Sequence, residues 1–278
     1  MSNHNAPLAP VLGAALLIDD FEELHRWIFD ADRDLELEDF ANGKTLDGDW
    51  QSLVERYKKL LVSHGGRLGI HGPFWDNNIL AVSDPQIRPI VQRRFVQGVD
   101  VCEALGATHM VVHSPFTMTD GNNMHASKAW RDYLMTLGRE NLMPAVKRAE
   151  EVGCVLMIEN VEDTNPFDRV AFAQSFESQA VRVSVDTGHA HLAHRMAGAP
   201  PVDCFIGSAG RLLQHIHIQD VDGYADRHWA PGDGEIHWRS VFEAISLQSS
   251  HPRLILEIKD KRDLIRGANY LRDLGLAS

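Results

Sequence analysis

The sequence predicts an α/β fold, a (β/α)₈ barrel that forms a single domain over residues 1–278. Eight short runs of β-branched and other apolar residues alternate with longer stretches of helical periodicity, which is typical of repeated βα units around a parallel sheet. The length of 278 residues fits one such barrel, which typically takes about 250. The first run leads into Ile18-Asp19-Asp20-Phe21 rather than G-x-G-x-x-G, so an open doubly wound sheet is the weaker alternative.

Strands are predicted where apolar residues run together, bounded by turn residues or polar clusters. In chain order they cover residues 11–17, 35–40, 67–71, 109–113, 155–159, 182–186, 213–218 and 254–258. Helices are predicted where apolar residues recur every three or four positions, over residues 50–63, 84–105, 126–152, 166–177, 238–247 and 262–274. The fourth unit would present to the sheet an apolar stripe made of Trp130, Leu134, Leu137, Leu142, Val146 and Ala149.

The composition excludes several classes of protein. The chain carries 27 Lys and Arg against 39 Asp and Glu, a net charge of −12, so its average surface repels phosphate backbones and a nucleic-acid partner is not expected. Cys102, Cys154 and Cys204 are widely spaced without a C-x-x-C pair, which argues against a disulfide framework and a thiolate zinc site. A reducing, cytoplasmic location is therefore expected.

No membrane segment is predicted. The N-terminal residues lack a basic n-region, and the apolar stretch 11–18 is too short to cross a bilayer. The oligomeric state is left open, and a homo-oligomer is compatible with the sequence.

Histidine and carboxylate residues gather at the ends of the predicted strands, and the 15 histidines are more than an average chain of this length carries. In strand seven, alternation places His215 and His217 on one face, with His217 nearer the C-terminal end. The C-terminal ends of barrel strands open on one mouth, where barrel enzymes place their active sites. Strands three to eight would bring to that mouth His71, His113, Glu159, Asp186, His189, His217, Asp226, His228 and Glu257.

The remaining histidines are predicted to be solvated or structural. They are His4, His25, His64, His109, His125, His237 and His251, while His191 and His194 are expected at most to support the ligands from behind.

Such a gathering of buried carboxylates needs a compensating charge. The nearest basic residue in the sequence is Lys259, two positions beyond Glu257. A divalent ion would compensate carboxylates and bind neutral imidazoles at once, and nitrogen and oxygen ligands without thiolate suit Zn²⁺, Mn²⁺ or Co²⁺. Aromatic residues that suit the apolar face of a sugar or cyclitol flank the ligands in the loops, namely Phe74, Trp75, Phe116 and Trp229.

Several segments, by their order and spacing, resemble a known family. The segments IEN, VDTGHA, HIHIQD, DRHWAPGDGEIHW and LEI are similar to those of the xylose isomerase-like TIM barrels grouped as sugar phosphate isomerases/epimerases, a superfamily that includes endonuclease IV. The resemblance runs from about His71 to Glu257. For the isomerases it implies a single metal held by Glu159, Asp186, His217 and Glu257.

The resemblance to endonuclease IV implies a larger set, with up to three ions. His71, His113 and Glu159 would hold one ion, and His189, Asp226 and His228 would hold another. One to three divalent ions are therefore expected.

The resemblance to the isomerases also implies the chemistry. A proton is removed from a carbon next to a carbonyl, and the metal neutralises the charge of the enediolate that develops. Glu159 and Glu257 would form the acid/base pair on opposite sides of the ion, and His189 would orient the substrate or bind a second metal. The expected substrate is a small carbohydrate. The sequence contains neither a P-loop nor a basic cluster that would indicate a phosphorylated substrate.

Three alternatives remain open. A zinc-dependent abasic-site phosphodiesterase would use all nine ligands, but the net charge and the neutral or acidic loops 42–49 and 75–78 argue against DNA binding. A keto-sugar lyase or dehydratase would share the enolate chemistry. A catalytically silent barrel that senses a metal or ligand is disfavoured by the presence of both Glu159 and Glu257.

Overall fold

Eight parallel strands close into a barrel in the computed structural model, which describes residues 9–75, 77–79 and 84–278. Each strand pairs with its sequence neighbours, and the last pairs with the first. The predicted (β/α)₈ barrel is confirmed. The strands are β1 (Leu12–Leu16), β2 (Leu35–Leu37), β3 (Leu68–His71), β4 (His109–His113), β5 (Val155–Glu159), β6 (Val181–Asp186), β7 (Leu213–Ile218) and β8 (Arg253–Leu256).

The predicted bounds of β4, β5 and β7 are confirmed, whereas three strands were predicted too far toward their C-terminal ends, β1 by a single residue and β2 and β8 by more. The run predicted over residues 35–40 leaves the sheet after Leu37 and turns through the 3₁₀ helix Glu38–Phe40. The run predicted over residues 254–258 pairs only as far as Leu256. In both cases buried apolar residues continue past the last strand residue, so hydrophobicity does not mark where strand pairing stops.

Helices surround the barrel and cover the outer faces of its strands. They are α1 (Phe21–Phe29), α2 (Gly43–Asp47), α3 (Trp50–Leu60), α4 (Arg88–Leu105), α5 (Met118–Met124), α6 (Lys128–Val152), α7 (Pro166–Gln174), α8 (Thr187–Ala197), α9 (Val202–Ala209), α10 (Trp238–Ser246) and α11 (Leu264–Asp273). The helices α4 and α6 end at Gly106 and Gly153, whose φ angles of 71° and 75° suit a left-handed C-cap. Within the described ranges, no helix is both long and apolar enough to cross a membrane.

The strands are buried on both faces, because the barrel interior covers one face and the helices cover the other. Every residue of β1, for example, is buried. The predicted apolar stripe of the long helix α6 is confirmed at Leu134, Leu142, Val146 and Ala149 but is wrong at Trp130. Trp130 lies near the start of α6, is 40% exposed, and stacks on the neighbouring ring of Tyr133 rather than packing on the barrel.

Candidate metal centre

Parallel pairing brings the polar strand ends to one rim of the barrel. In the register of the sheet, His113 of β4 lies opposite Glu159 of β5, and Asp186 of β6 lies opposite His217 of β7. Because each strand runs in the same direction, their C-terminal residues share one mouth. The register therefore explains why residues far apart in sequence meet there.

A central group of four buried residues lies at the base of the mouth. One ligand atom from each of Glu159, Asp186, His217 and Glu257 lies within 4.8 Å of the others. The Nδ1 atom of His217 is 2.8 Å from Oε1 of Glu159 and 3.4 Å from Oε2 of Glu257. The two glutamates thus approach the same imidazole nitrogen from β5 and from the end of β8.

Two outer groups adjoin the central one. The Nε2 atoms of His71 and His113 are each 3.7 Å from Oε2 of Glu159. On the other side, Oδ1 of Asp226 is 3.4 Å from Nε2 of His189 and 3.1 Å from Nε2 of His228. The structure thus brings all nine residues predicted as ligands into three neighbouring groups, while their binding of metal stays a prediction.

The central group fits a divalent cation. Oε2 of Glu159 and Oε2 of Glu257 are buried, and neither has a hydrogen-bond partner among the residues that the structure describes. Buried polar atoms are rarely left unpaired, and an unpaired buried carboxylate oxygen is especially unfavourable. Lys259 is exposed and compensates neither carboxylate. With only nitrogen and oxygen donors, the group has the chemistry of a Zn²⁺, Mn²⁺ or Co²⁺ site.

Backbone carbonyls fix the tautomers of three outer histidines. The Nδ1 atoms of His71, His189 and His228 lie 3.0–3.1 Å from the carbonyl oxygens of Gly72, Asn160 and Glu257 respectively. A carbonyl oxygen only accepts, so each Nδ1 carries the proton that it donates. The Nε2 atom of each ring is therefore the nitrogen that faces its neighbouring carboxylate.

Without metal, several histidines of the cluster hold an extra proton. Burial alone would lower the pKa of His71, but the neighbouring carboxylate of Glu159 and the charges of Glu36 and Glu257 raise it to about 9. Burial likewise opposes protonation of His228, whose pKa the charge of Glu257 raises to about 9. These protons offset part of the negative charge that an ion would otherwise neutralise.

Metal binding at pH 7 is therefore expected to release protons, because a nitrogen that binds metal cannot keep its proton. The apparent affinity should rise with pH up to about 9, where His71 and His228 lose their protons without metal. For each proton released, the apparent association constant for the metal should rise about tenfold per pH unit. Calorimetric titration with Zn²⁺ in two buffers of different ionisation enthalpy counts the protons. A His71→Gln variant should release fewer, and heats that do not depend on the buffer would contradict the prediction.

The two glutamates of the central group are not equivalent. Burial raises the pKa of Glu257 to about 7, although the charges of His217 and His228 oppose this rise. Burial would also raise the pKa of Glu159, but the charge and the hydrogen bond of His217 hold it well below its usual range. Paired carboxylates with separated pKa values are typical of acid/base sites.

The loop after β7 positions Asp226 and His228. Backbone hydrogen bonds in both directions between Asp220 and Trp229 close the loop, and the Asp220 carboxylate accepts from the Nε1–H of Trp238 at 3.1 Å. His228 has φ 49°, in the left-handed region that residues other than glycine rarely adopt. This unusual backbone conformation turns its ring toward Asp226 and Glu257.

Three residues that support the ligands were missed by the sequence interpretation. Gln219 donates to Oδ1 of Asp186 at 3.2 Å and accepts from the backbone N–H of His228 at 3.1 Å. Asn160 exchanges two hydrogen bonds with the backbone of Asp186. Glu36 of β2 reaches His217 inside the barrel. Gln219 lies in the HIHIQD segment and Asn160 in the IEN segment, each close in sequence to a predicted ligand. That closeness is the signal by which the sequence could have identified them.

Among the described residues, the remaining histidines lie outside the three groups. His109, which was predicted to be solvated or structural, is fully buried inside the barrel. His194 donates from Nδ1 to the carbonyl of Ala199, and His191 faces Glu235 at 3.9 Å. His4 lies outside the described residues.

The aromatic residues of the loops have different surroundings. Phe74 stacks on His113 with a centroid distance of 4.6 Å and meets His71 edge-on, so it fixes both rings. Phe116 is buried and packs edge-on against Phe172, which leaves it little surface to offer a substrate. Trp75 and Trp229 are exposed.

Comparison with known proteins supports a family assignment. A family model described as xylose isomerase-like TIM barrel matches residues 29–274. An uncharacterized protein of Methanocaldococcus jannaschii is 22% identical over 230 residues, which is 80% of this chain and 72% of that protein.

Solved structures share the fold. A D-tagatose 3-epimerase-like protein has a TM-score of 0.77 at 19% identity, covering 95% of this chain and 96% of its own. The 3-keto-D-glucoside 4-epimerase YcjR of E. coli has a TM-score of 0.70 at 16% identity, covering 95% and 99%. The IOLI protein with a bound zinc atom has a TM-score of 0.66 at 13% identity, covering 95% and 98%.

Proposed function

Since this chain belongs to the xylose isomerase-like TIM barrel family, we propose that it is a metal-dependent isomerase or epimerase of a sugar, sugar phosphate or cyclitol. The observation that carries the proposal is the pair of buried glutamates, Glu159 and Glu257, whose oxygens approach the same nitrogen of His217. One structural neighbour is named as a 3-keto-D-glucoside 4-epimerase, another as a D-tagatose 3-epimerase-like protein, and a third holds zinc. These names support the same class of reaction and cofactor here.

In the proposed reaction, the two glutamates move a proton. One glutamate, as the carboxylate, takes the proton from a carbon next to a carbonyl, and the other, as the carboxylic acid, gives its proton to the resulting enediolate. A bound Zn²⁺, Mn²⁺ or Co²⁺ would supply a Lewis acid for the oxygen that becomes negative. Glu159, Asp186, His217 and Glu257 would hold the ion, and His189, which is buried beside Asp186, would orient a substrate hydroxyl or bind a further ion.

Solvent isotope exchange tests this proposal across many candidate substrates at once. The protein, supplied in turn with Zn²⁺, Mn²⁺ and Co²⁺, is incubated in D₂O with a panel of ketoses, aldoses and inososes. We expect deuterium at the carbon next to the carbonyl of at least one compound, and no exchange when a chelator is present. Exchange into none of the compounds with any of the three metals would refute the proposed activity. Loss of water from a compound would instead support the lyase or dehydratase alternative.

A second candidate is an abasic-site phosphodiesterase. The two outer groups favour it, because three adjacent ions would suit phosphodiester hydrolysis. The net charge of −12 disfavours it, because DNA binding relies on contacts from Lys and Arg to phosphates. Metal analysis and incubation with an abasic duplex, with and without chelator, separate the two. Three equivalents of zinc together with strand cleavage would favour the nuclease, whereas one equivalent without cleavage favours the isomerase.

A further inference from the structure

A buried polar layer lies inside the barrel beneath the central group. It contains Glu36 of β2, Ser184 of β6 and His215 of β7, none of which has solvent exposure. We propose that Glu36 is a positioning residue that fixes the orientation and the tautomer of His217, so that His217 binds metal through Nδ1. This inference rests on the proposed metal centre.

The hydrogen bonds of His217 carry the inference. Its Nε2 atom is 2.9 Å from Oε1 of Glu36, and an ionised carboxylate only accepts, so Nε2 carries a proton that it donates to Glu36. The Nδ1 atom faces Glu159 and Glu257 in the central group. When an ion displaces any proton from Nδ1, the bond to Glu36 keeps the other proton on Nε2. The ring is then held as a metal ligand of one defined tautomer.

This arrangement is the reverse of that found in the outer groups. His71, His189 and His228 direct Nδ1 to a backbone carbonyl and present Nε2 to the mouth. A backbone carbonyl fixes the tautomer whatever the local side chains are. The tautomer of His217 is instead fixed by a side chain, the Glu36 carboxylate. Its negative charge also makes the imidazole a stronger electron donor to a metal.

Glu36 reaches His217 across the barrel interior, where its other neighbours are also histidines. Strand β2 is not a neighbour of β7 in the sheet, so no backbone pairing sets the contact. Nε2 of His215 is 3.0 Å from Oε2 of Glu36, and Nδ1 of His215 is 2.8 Å from Oγ of Ser184. Among the described residues, no Arg or Lys forms an ion pair with Glu36, and the side chains that surround its carboxylate are those of His109, His215 and His217. The carboxylate therefore directs its charge at His217 and its neighbours rather than at an Arg or Lys.

A second ion within the layer is the competing explanation, because Glu36, His215 and His217 offer ligand atoms within 4.8 Å of one another. The central group argues against it, because Glu159, Asp186 and Glu257 offer the Nδ1 atom of His217 three further ligand residues, and an imidazole that binds an ion through Nδ1 keeps its other proton on Nε2. Only Glu36 and His215 would remain as ligands of this trio, which is fewer than structural or catalytic zinc sites use.

The test measures zinc binding by the Glu36→Gln variant in competition with a chromophoric chelator. Glutamine still accepts the Nε2 proton but carries no charge. We expect the dissociation constant of one ion to rise about 10–100-fold, the effect typical of lost second-layer partners, while the number of ions bound at saturation stays the same. His109→Asn is the matched control. His109 is also buried inside the barrel, with Nε2 3.8 Å from Oε2 of Glu36, and its ring nitrogens have no hydrogen-bond partner among the described residues. The His109→Asn substitution should change the dissociation constant for zinc by less than about threefold.

The outcomes are separable. An unchanged constant in Glu36→Gln, or the loss of one whole ion, would overturn the inference, and the second result would identify Glu36 as a ligand. If the natural protein binds no divalent ion, the proposed function itself fails.

A spectroscopic measurement needs no variant and covers the case in which Glu36→Gln does not fold. In the zinc-loaded natural protein labelled with ¹⁵N-histidine, two-bond ¹H–¹⁵N correlations should show one histidine bound through Nδ1 with its proton on Nε2. A spectrum in which every zinc-bound histidine is bound through Nε2 would overturn the inference.

Discussion

Replacing Glu257 with glutamine is expected to reduce kcat by about 10²–10⁴-fold, the range that one positioned acid or base contributes. Glutamine has nearly the same volume but cannot take up or release a proton at neutral pH. Glu257 is only 8% exposed, and its Oε2 atom has no hydrogen-bond partner in the described part of the chain, so the substitution removes a buried carboxylate without breaking a hydrogen bond of that atom. The measurement is kcat on the compound identified by isotope exchange, with the melting temperature as the check on folding.

The matched control is Glu235→Gln, in the loop between β7 and α10. Glu235 is exposed and belongs to none of the three ligand groups, so its replacement should change kcat by less than about twofold. Metal content must be measured alongside. A Glu257→Gln protein that keeps its ion and its full activity would show that Glu257 has no acid/base role. A protein that loses activity only in proportion to lost metal would show that Glu257 serves as a ligand alone.

Much of the site could be predicted from the sequence, because in a barrel the position of a polar residue along its strand determines where it lies in the fold. A polar residue at the C-terminal end of a buried strand stands out among apolar neighbours, as Glu159 does after Val155–Ile158. In a parallel barrel all such ends share one mouth, so the order of the strands does not need to be known to place them together. Glu159, Asp186 and His217 were accessible to prediction for this reason.

Glu36 was not accessible in the same way. It stands between Leu35 and Leu37, and all three side chains are buried. Alternation predicts which side chains share a face, but when both faces of a strand are covered it does not say which face is the barrel interior. A single carboxylate between two leucines is then indistinguishable from an outward-facing polar residue.

The supporting amides escaped prediction for a different reason. Gln219 and Asn160 are neutral, and neutral amides occur in many loops without a function. Their role depends on the position of Asp186, which each of them contacts from a different strand end. The left-handed backbone of His228 is likewise a property of the closed loop rather than of its sequence. Such features follow from contacts that form only when the barrel closes.

Removal of the bound ion is expected to abolish catalysis and to lower the melting temperature while leaving the barrel folded. An ion present at 1,000 times its dissociation constant stabilises the folded state by about 4 kcal/mol. For a chain of this size, that free energy corresponds to about 8–16 °C in melting temperature. The barrel should survive because its core is apolar and extensive, and because the raised pKa values of His71 and His228, both about 9, let protons replace part of the lost charge.

The measurement compares thermal unfolding and activity before chelation, after chelation, and after metals are restored one at a time. Zn²⁺, Mn²⁺ or Co²⁺ should restore both quantities, whereas Mg²⁺ should restore neither, because imidazole nitrogen is a poor ligand for it. Mg²⁺ therefore controls for a nonspecific effect of divalent charge on a protein with a net charge of −12. If chelation changes neither the melting temperature nor the activity, the mouth of the barrel does not hold a functional metal. Equal rescue by Mg²⁺ would assign the site to the carboxylates alone, without the histidines.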